Sequence, residues 1–365
     1  MRNVLFIVFI IISYSLSAQN KVQYKTWNPA QGVYALEGQV WKGEDSNFYN
    51  RLPAKASKMV RPAVWNLSTN TAGVSLRFAS NASQIIVRYQ VNKEHHLPHM
   101  PATGVSGVDL FAKEPGADGW LWATGRFVFA DTIQYTFTNL DKNGKPAMRD
   151  YTLFLPLYNS VKWLEIVTPA ESVLKPITPR KEKPVVVYGT SIAQGGCASR
   201  PGLGFTNIVQ RELDVPVINL AFSGNGRLEQ PILDLMTEID AAVYVLDCLP
   251  NLAANGLAPK LVNAVTTLKA KRKNVPIMLV EHCGYANEAI DETRRKTYMA
   301  INRVQKQVYD SLIKSGMKNI YYLTKEEIGL NSNSTVDYVH PNDLGMMQYA
   351  EAYYKKLKTL VKKNK

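Results

Sequence analysis

The sequence predicts two successive domains: an all-β sandwich or jelly roll over residues 19–168, and an α/β domain with a parallel sheet covered on both faces over residues 185–365. Three observations predict this. Short β-type runs punctuated by Gly, Asn and Asp fill the first half. A proline-rich stretch separates the halves. Apolar strand runs then alternate with helix-type spacing to the C-terminus. A chain of 365 residues, 46% of them hydrophobic, has enough apolar surface for at least one substantial core, so disorder is excluded as the default.

Met1, Arg2 and Asn3 precede an apolar stretch, Val4 to Ile12, that closes on Ser15, Ser17 and Ala18. This is the order of a cleaved secretory signal, with the mature chain starting near Gln19 in a periplasmic or secreted protein. The stretch is too short to span a bilayer comfortably, and no Cys follows it to accept a lipid anchor. The formal charge is +13; residues 1–18 hold one charged residue, Arg2, and their loss leaves +12. The basic residues are spread along the chain, denser at Lys181–Lys183, Lys271–Lys273 and Lys355–Lys365, so they read as solvated faces rather than a nucleic-acid arm.

In the first half the β-type runs are Val74–Phe78, Gln84–Tyr89, Trp120–Phe129 and Tyr151–Leu155. Pro169, Pro176, Pro179 and Pro184, with the charged cluster Arg180–Lys183, preclude an ordinary helix and mark residues 169–184 as a linker. The second half offers the strands Val185–Tyr188, Val217–Leu220, Ala242–Leu246, Ile277–Val280 and Ile320–Tyr322, with helical spacing at Asn263–Arg272 and Thr293–Ser315. Near-continuous Val, Ile and Leu strands belong to a sheet buried on both sides, and such sheets bind ligands at their carboxyl ends.

Cys197, Cys248 and Cys283 are too few for a disulfide framework; a Cys248–Cys283 bridge and buried free thiols both stay open. His95, His96 and His99 cluster with Glu94 between prolines, Pro98 and Pro101. That context argues against a helical metal site and for a surface loop, one able to overhang a site from the first domain.

The first strand runs into Gly189-Thr190-Ser191, where a strand-to-helix turn exposes a hydroxyl and aims backbone N–H groups at an incoming oxyanion. Gly224 follows the second strand and Asn251 the third. A Gly admits a close backbone N–H, and an Asn offers a side-chain NH₂, both useful where negative charge collects on a carbonyl oxygen. Asp337-Tyr338-Val339-His340-Pro341 opens the last helical segment, and an Asp three residues before a His fixes the imidazole tautomer that takes a proton from a Ser hydroxyl. Glu281, His282 and Tyr285 at the fourth strand's end, with Asn225, are candidates for the pocket wall.

Gly189-Thr190-Ser191, Gly224, Asn251 and Asp337-x-x-His340-Pro341 follow, in order and after the expected strands, the four sequence blocks of the SGNH (GDSL-like) hydrolase superfamily, which this chain resembles from about Pro184 to Tyr354. Two positions depart from the family pattern: Thr190 stands where an Asp is usual, and Leu249-Pro250-Asn251-Leu252 replaces Gly-x-Asn-Asp. Gly107-Val108-Asp109-Leu110-Phe111 is similar to the Gly-x-Asp-Leu-Tyr feature of a β-domain that precedes some bacterial members. The resemblance implies a flavodoxin-like three-layer α/β/α hydrolase domain. It further implies a Ser191 nucleophile, an Asp337–His340 base pair, and an oxyanion hole from Ser191, Gly224 and Asn251. The chemistry needs no metal and no organic cofactor.

Export, a preceding β-domain and the aromatics Trp120 and Trp122 suit a short-chain, mainly acetyl, ester on a small molecule or polysaccharide. Nucleic acid and stable membrane insertion are not expected. A silent sugar-binding scaffold would lack Ser, His or an oxyanion donor, and none is missing. A sugar O-acyltransferase using the same Ser–His pair stays open.

Overall fold

The computed structural model describes residues 22–44 and 47–362; the expected signal segment lies outside them. The first half forms two antiparallel sheets, of five and six strands, facing each other. One joins Tyr24–Trp27, Val161–Pro169, Ile85–Val91, Ile133–Phe137 and Gly125–Val128 in that spatial order; the other joins Leu174–Pro176, Ser75–Ser80, Arg149–Phe154, Asp109–Lys113 and Leu121–Ala123, with Leu36–Glu37 on Ser75–Ser80. Ile85–Val91 alternates buried and half-buried residues, as a strand with one face on a core must. Val87, Tyr89, Leu110, Leu153 and Ile166 meet in the sandwich core.

Three features differ from the sequence expectations. Trp120–Phe129 is not one strand: Leu121–Ala123 pairs with Asp109–Lys113, whereas Gly125–Val128 pairs with Ile133–Phe137 in the other sheet. The chain changes sheets at Gly125, where a Cβ would lie 2.9 Å from the Phe137 ring. The proline-rich stretch is not all linker, because Leu174–Pro176 is an edge strand on Ser75–Ser80, where proline's missing N–H costs no ladder bond. Residues 50–68 lie outside both sheets. A 3₁₀ turn, Ala54–Lys58, and a helix, Pro62–Ser68, pack Trp41, Leu52, Ala56, Val60 and Val64 against the second domain.

The second half is a five-stranded parallel sheet: Val185–Gly189, Val217–Ala221, Val243–Asp247, Ile277–Val280 and Ile320–Leu323. Numbered by sequence, their order is 2-1-3-4-5. Alternate strand residues feed two separate cores. Val186, Tyr188, Leu220 and Leu246 pack under the helices Gln230–Glu238, Leu257–Lys271 and Glu292–Lys314; Val185, Val187, Val217 and Val245 pack under Phe205–Leu213 and Asp343–Lys362. The result is the expected three-layer α/β/α arrangement, whose strand order reverses direction beside the first strand, just where Ser191 follows.

All three cysteines are free and buried. Cys248 lies in the core on one face of the sheet and Cys283 in the core on the other, so the sheet itself separates them and no bridge forms. Among the described residues no helix is long and apolar enough to cross a membrane.

Candidate active site

Ser191 begins a one-turn helix, Ser191–Gln194, directly after the first strand, and Gly195 ends it in the left-handed region at φ 103°. Loops of the first domain hold this turn in place. Tyr158 donates its hydroxyl hydrogen to the Ser191 carbonyl at 3.0 Å, and Thr103 donates to the Ser199 carbonyl at 2.6 Å. Ser199 in turn binds Asp343, at the start of the last helix, through both its N–H and its hydroxyl.

The loop that carries Asp337 and His340 is closed by a Val336 N–H to His340 carbonyl bond of 2.9 Å and a bridge between Thr335 and Pro341. Within it, Asp337 Oδ1 accepts from the backbone N–H groups of Val339 and His340, and Oδ2 pairs with His340 Nδ1 at 2.7 Å. Burial raises the Asp337 pKa, but the bonds from the His340 backbone and ring, its charge and the Val339 N–H outweigh that effect, so the carboxyl is held below its ordinary value. The other ring nitrogen, His340 Nε2, lies 2.8 Å from Ser191 Oγ. With the proton on Nδ1, facing the carboxylate, Nε2 is the acceptor for the Ser191 hydroxyl hydrogen.

Gly224 and Asn251 come to the same strand ends. Gly224 sits at φ 68° in an exposed turn with open space around it. Gly226 packs so closely on the Gly189 carbonyl that no side chain fits, which seats the turn beside the start of the Ser191 helix. Its N–H reaches Asn251 Oδ1 at 3.2 Å. That bond fixes the amide orientation and leaves the Asn251 NH₂ free to donate. Beneath the turn, fully buried Arg51 from the first domain donates to the carbonyls of Asn219 (2.9 Å), Ala221 (2.8 Å), Asn70 (2.7 Å) and Leu67 (2.7 Å). Burial lowers its pKa to about 9.

Three of the four residues expected at the pocket wall hydrogen-bond within the fold. Glu281 commits both oxygens to the fold, accepting from Tyr322 at 2.9 Å and the Lys325 N–H at 2.8 Å. His282 is only 1% exposed; its Nδ1 accepts from Gly284, and burial, then the Lys325 charge, lowers its pKa to about 4. Asn225 accepts from Arg61 at 2.9 Å and donates to the Ser223 carbonyl at 2.8 Å, joining the Arg61–Glu229 ion pair. Tyr285 alone approaches the catalytic loop: its ring meets that of Tyr338, and Ala286 donates to the Tyr338 carbonyl. The aromatics are also less free than expected. Trp120 donates to the Arg211 carbonyl, and Trp122, though 51% exposed, has Arg200 stacked on its ring at 4.1 Å.

The histidine loop does overhang the site. His99 stands exposed in the turn between Leu97 and Met100, its ring centroid 5.6 Å from that of His340. Cys197, buried beside them in the left-handed region at φ 72°, has its thiol pKa pushed up to about 12 by burial and then by the Asp337 charge. Neither Tyr158 nor Arg51 stands out in sequence, because each acts through a contact more than thirty residues away.

A parallel sheet in this order, with Ser, Gly, Asn and His at its carboxyl ends, defines an SGNH-type hydrolase. Residues 182–358 match the GDSL-like lipase/acylhydrolase family, and residues 24–174 match the N-terminus of SGNH-hydrolase-type esterases. A Bacteroides ovatus protein described as a GDSL-like lipase is 27% identical, with 93% of this chain and 98% of that one covered and a TM-score of 0.84. A salicylyl-acyltransferase from a tetracycline biosynthetic pathway is 18% identical over 92% and 97% (TM-score 0.70), and a family two carbohydrate esterase from Cellvibrio japonicus 12% over 94% and 99% (TM-score 0.53). No curated protein matches the sequence.

Proposed function

We propose that this protein is an exported serine esterase that removes short acyl groups, acetyl foremost, from carbohydrate esters. One observation carries the reading: Ser191 Oγ at 2.8 Å from His340 Nε2, with His340 Nδ1 at 2.7 Å from Asp337. As Ser191 Oγ attacks the ester carbonyl carbon, its proton passes to His340 Nε2. The oxyanion is met by the N–H groups of Ser191 and Gly224 and the Asn251 amide, each such donor worth about 3–4 kcal/mol of barrier. Collapse of the intermediate breaks the ester C–O bond, and His340 returns the proton to the departing sugar oxygen. Water, deprotonated by the same His340, then releases the acid and restores Ser191. Asp337 keeps the proton on Nδ1 throughout and stabilises the imidazolium.

The carbohydrate part is supported by the fold shared with the carbohydrate esterase, and export by the order of the first eighteen residues. The acyltransferase of the same two-domain extent favours a second reading, in which a sugar hydroxyl takes the place of water. Hydrolysis of acetylated oligosaccharides, assayed with and without an unacetylated acceptor sugar, tests both: free acetate supports the esterase, and acetyl transfer to the acceptor in preference to water supports the transferase.

A further inference from the structure

Three side chains from three separate segments converge where the two domains meet. One nitrogen of His99, Cys197 Sγ and one nitrogen of His340 all lie within 4.8 Å of one another. His99 comes from the exposed turn of the β-domain, Cys197 from the turn after the Ser191 helix, and His340 from the loop before the last helix. Two imidazoles and a thiol form a donor set suited to borderline-soft cations, above all Zn²⁺, and poorly suited to Mg²⁺ or Ca²⁺. The Cys197 backbone, held at φ 72° without being glycine, adds a second observation, since such a conformation persists only where its surroundings impose it.

We propose that His99, Cys197 and His340 form a binding site for a thiophilic divalent cation, Zn²⁺ in the first instance, and that its occupancy reversibly disables the catalytic histidine. Zinc bonds of about 2.0–2.3 Å to N and S place tetrahedral ligand atoms roughly 3.3–3.8 Å apart. The three donors therefore need to close by about 1 Å, and His99, on an exposed two-residue turn, is free to move. The cation displaces the thiol proton to solvent and forms Zn–S and Zn–N bonds. Both nitrogens of His340 are already engaged, Nδ1 with Asp337 and Nε2 with Ser191, so coordination must break one of these bonds. Either loss removes the base: through Nε2 the lone pair is taken, and through Nδ1 the tautomer is wrong. The inhibitory consequence rests on the esterase reading above, whereas the binding does not.

The test is calorimetric titration of ZnCl₂ into the full chain and its His99→Ala and Cys197→Ser variants, beside p-nitrophenyl acetate hydrolysis over the same zinc range. One zinc per chain is expected, with affinity weakened at least about tenfold in either variant. Wild-type hydrolysis falls with the binding midpoint and returns on adding EDTA, while both variants keep basal activity and lose zinc sensitivity. MgCl₂ leaves hydrolysis unchanged. His99→Ala, at an exposed turn, keeps the question answerable if Cys197→Ser folds poorly. Wild-type chain that binds no zinc, or a His99→Ala variant that binds zinc as tightly as wild type, overturns the site. If wild type binds zinc in the expected way but hydrolyses no ester, the esterase reading fails and the site stands.

Discussion

Asp109 of the β-domain faces Arg200 of the hydrolase domain across their junction, in an ion pair that reaches the turn following the nucleophile helix. The same carboxylate accepts from the Gly202 N–H at 2.9 Å and from Trp122 Nε1 at 2.6 Å. Burial raises its pKa, with Arg200, Trp122 and Gly202 opposing. Asp109 is the acid of the Gly107–Phe111 motif. Its neighbour Phe111 meets the same junction, with Arg211 stacked at 4.0 Å, and a Cβ on Gly107 would strike the carbonyl of Thr103, whose hydroxyl donates to Ser199 of the second domain. The motif thus latches one domain to the other.

Asp109→Asn keeps the shape of the latch but removes the charge opposite Arg200. Removing one partner of a buried pair costs about 3–5 kcal/mol, and Arg200 is partly exposed, so the lower end is expected. Chemical denaturation should show the midpoint falling with the slope unchanged; an unaltered midpoint would remove Asp109 from this role.

Arg51→Met should be more damaging, because it removes a charged donor from four backbone carbonyls, two of them on the second strand just before the Gly224 turn. Each bond to a charged donor contributes about 1.5–3 kcal/mol. Loss of at least about 3 kcal/mol of stability, together with a lower kcat in whatever folds, is expected in paired denaturation and hydrolysis measurements.

Asn251→Ala removes the only side-chain donor assigned to the oxyanion, and kcat should fall about 10²–10³-fold with little change in KM. A KM effect alone would place Asn251 in substrate binding instead.

Stability should vary with pH through two buried groups of opposite sign. His282, lowered to about 4 from the ordinary 6.5, binds its proton more readily in the unfolded chain, so stability is lost as pH falls from about 6.5 to about 4. Asp247, fully buried against the Tyr353 hydroxyl and raised to about 7 from 3.8 by burial, binds its proton more readily in the folded chain, so stability is lost as pH rises from about 3.8 to about 7. Asp247→Asn should therefore stabilise increasingly over that interval, by at most about 1.4 kcal/mol per pH unit, and level off above it. Melting temperatures of the two proteins from pH 4 to 8 supply the comparison, and parallel curves would contradict the assignment.

The parallel sheet was readable because its strands, such as Val185–Gly189, are buried on both faces and spell unbroken apolar runs. The helices Leu257–Lys271 and Glu292–Lys314 likewise hold the periodic segments up to their last residues, Arg272 and Ser315, which cap them. Reading failed where tertiary contact overrides local pattern. Ala54–Lys58 and Pro62–Ser68 become helical against another domain's core, and Trp120–Phe129 is cut in two by a corner whose only local sign is Gly125. The structure brings Ser191, Asp337 and His340 together as their types and spacing suggest, with Ser191 on His340 and His340 on Asp337. Glu281, His282 and Asn225 stand near strand ends as expected, but position there does not reveal which of their polar atoms the fold already engages.

The most direct test of the central claim is hydrolysis of p-nitrophenyl esters from acetate to octanoate by the purified protein, beside Ser191→Ala, His340→Ala and Asp337→Asn, with melting temperatures to confirm folding. The account predicts preference for acetate and a fall in kcat of at least about 10³–10⁴-fold in each folded variant. Wild-type protein silent on every ester, or a folded Ser191→Ala that retains wild-type turnover, would contradict it.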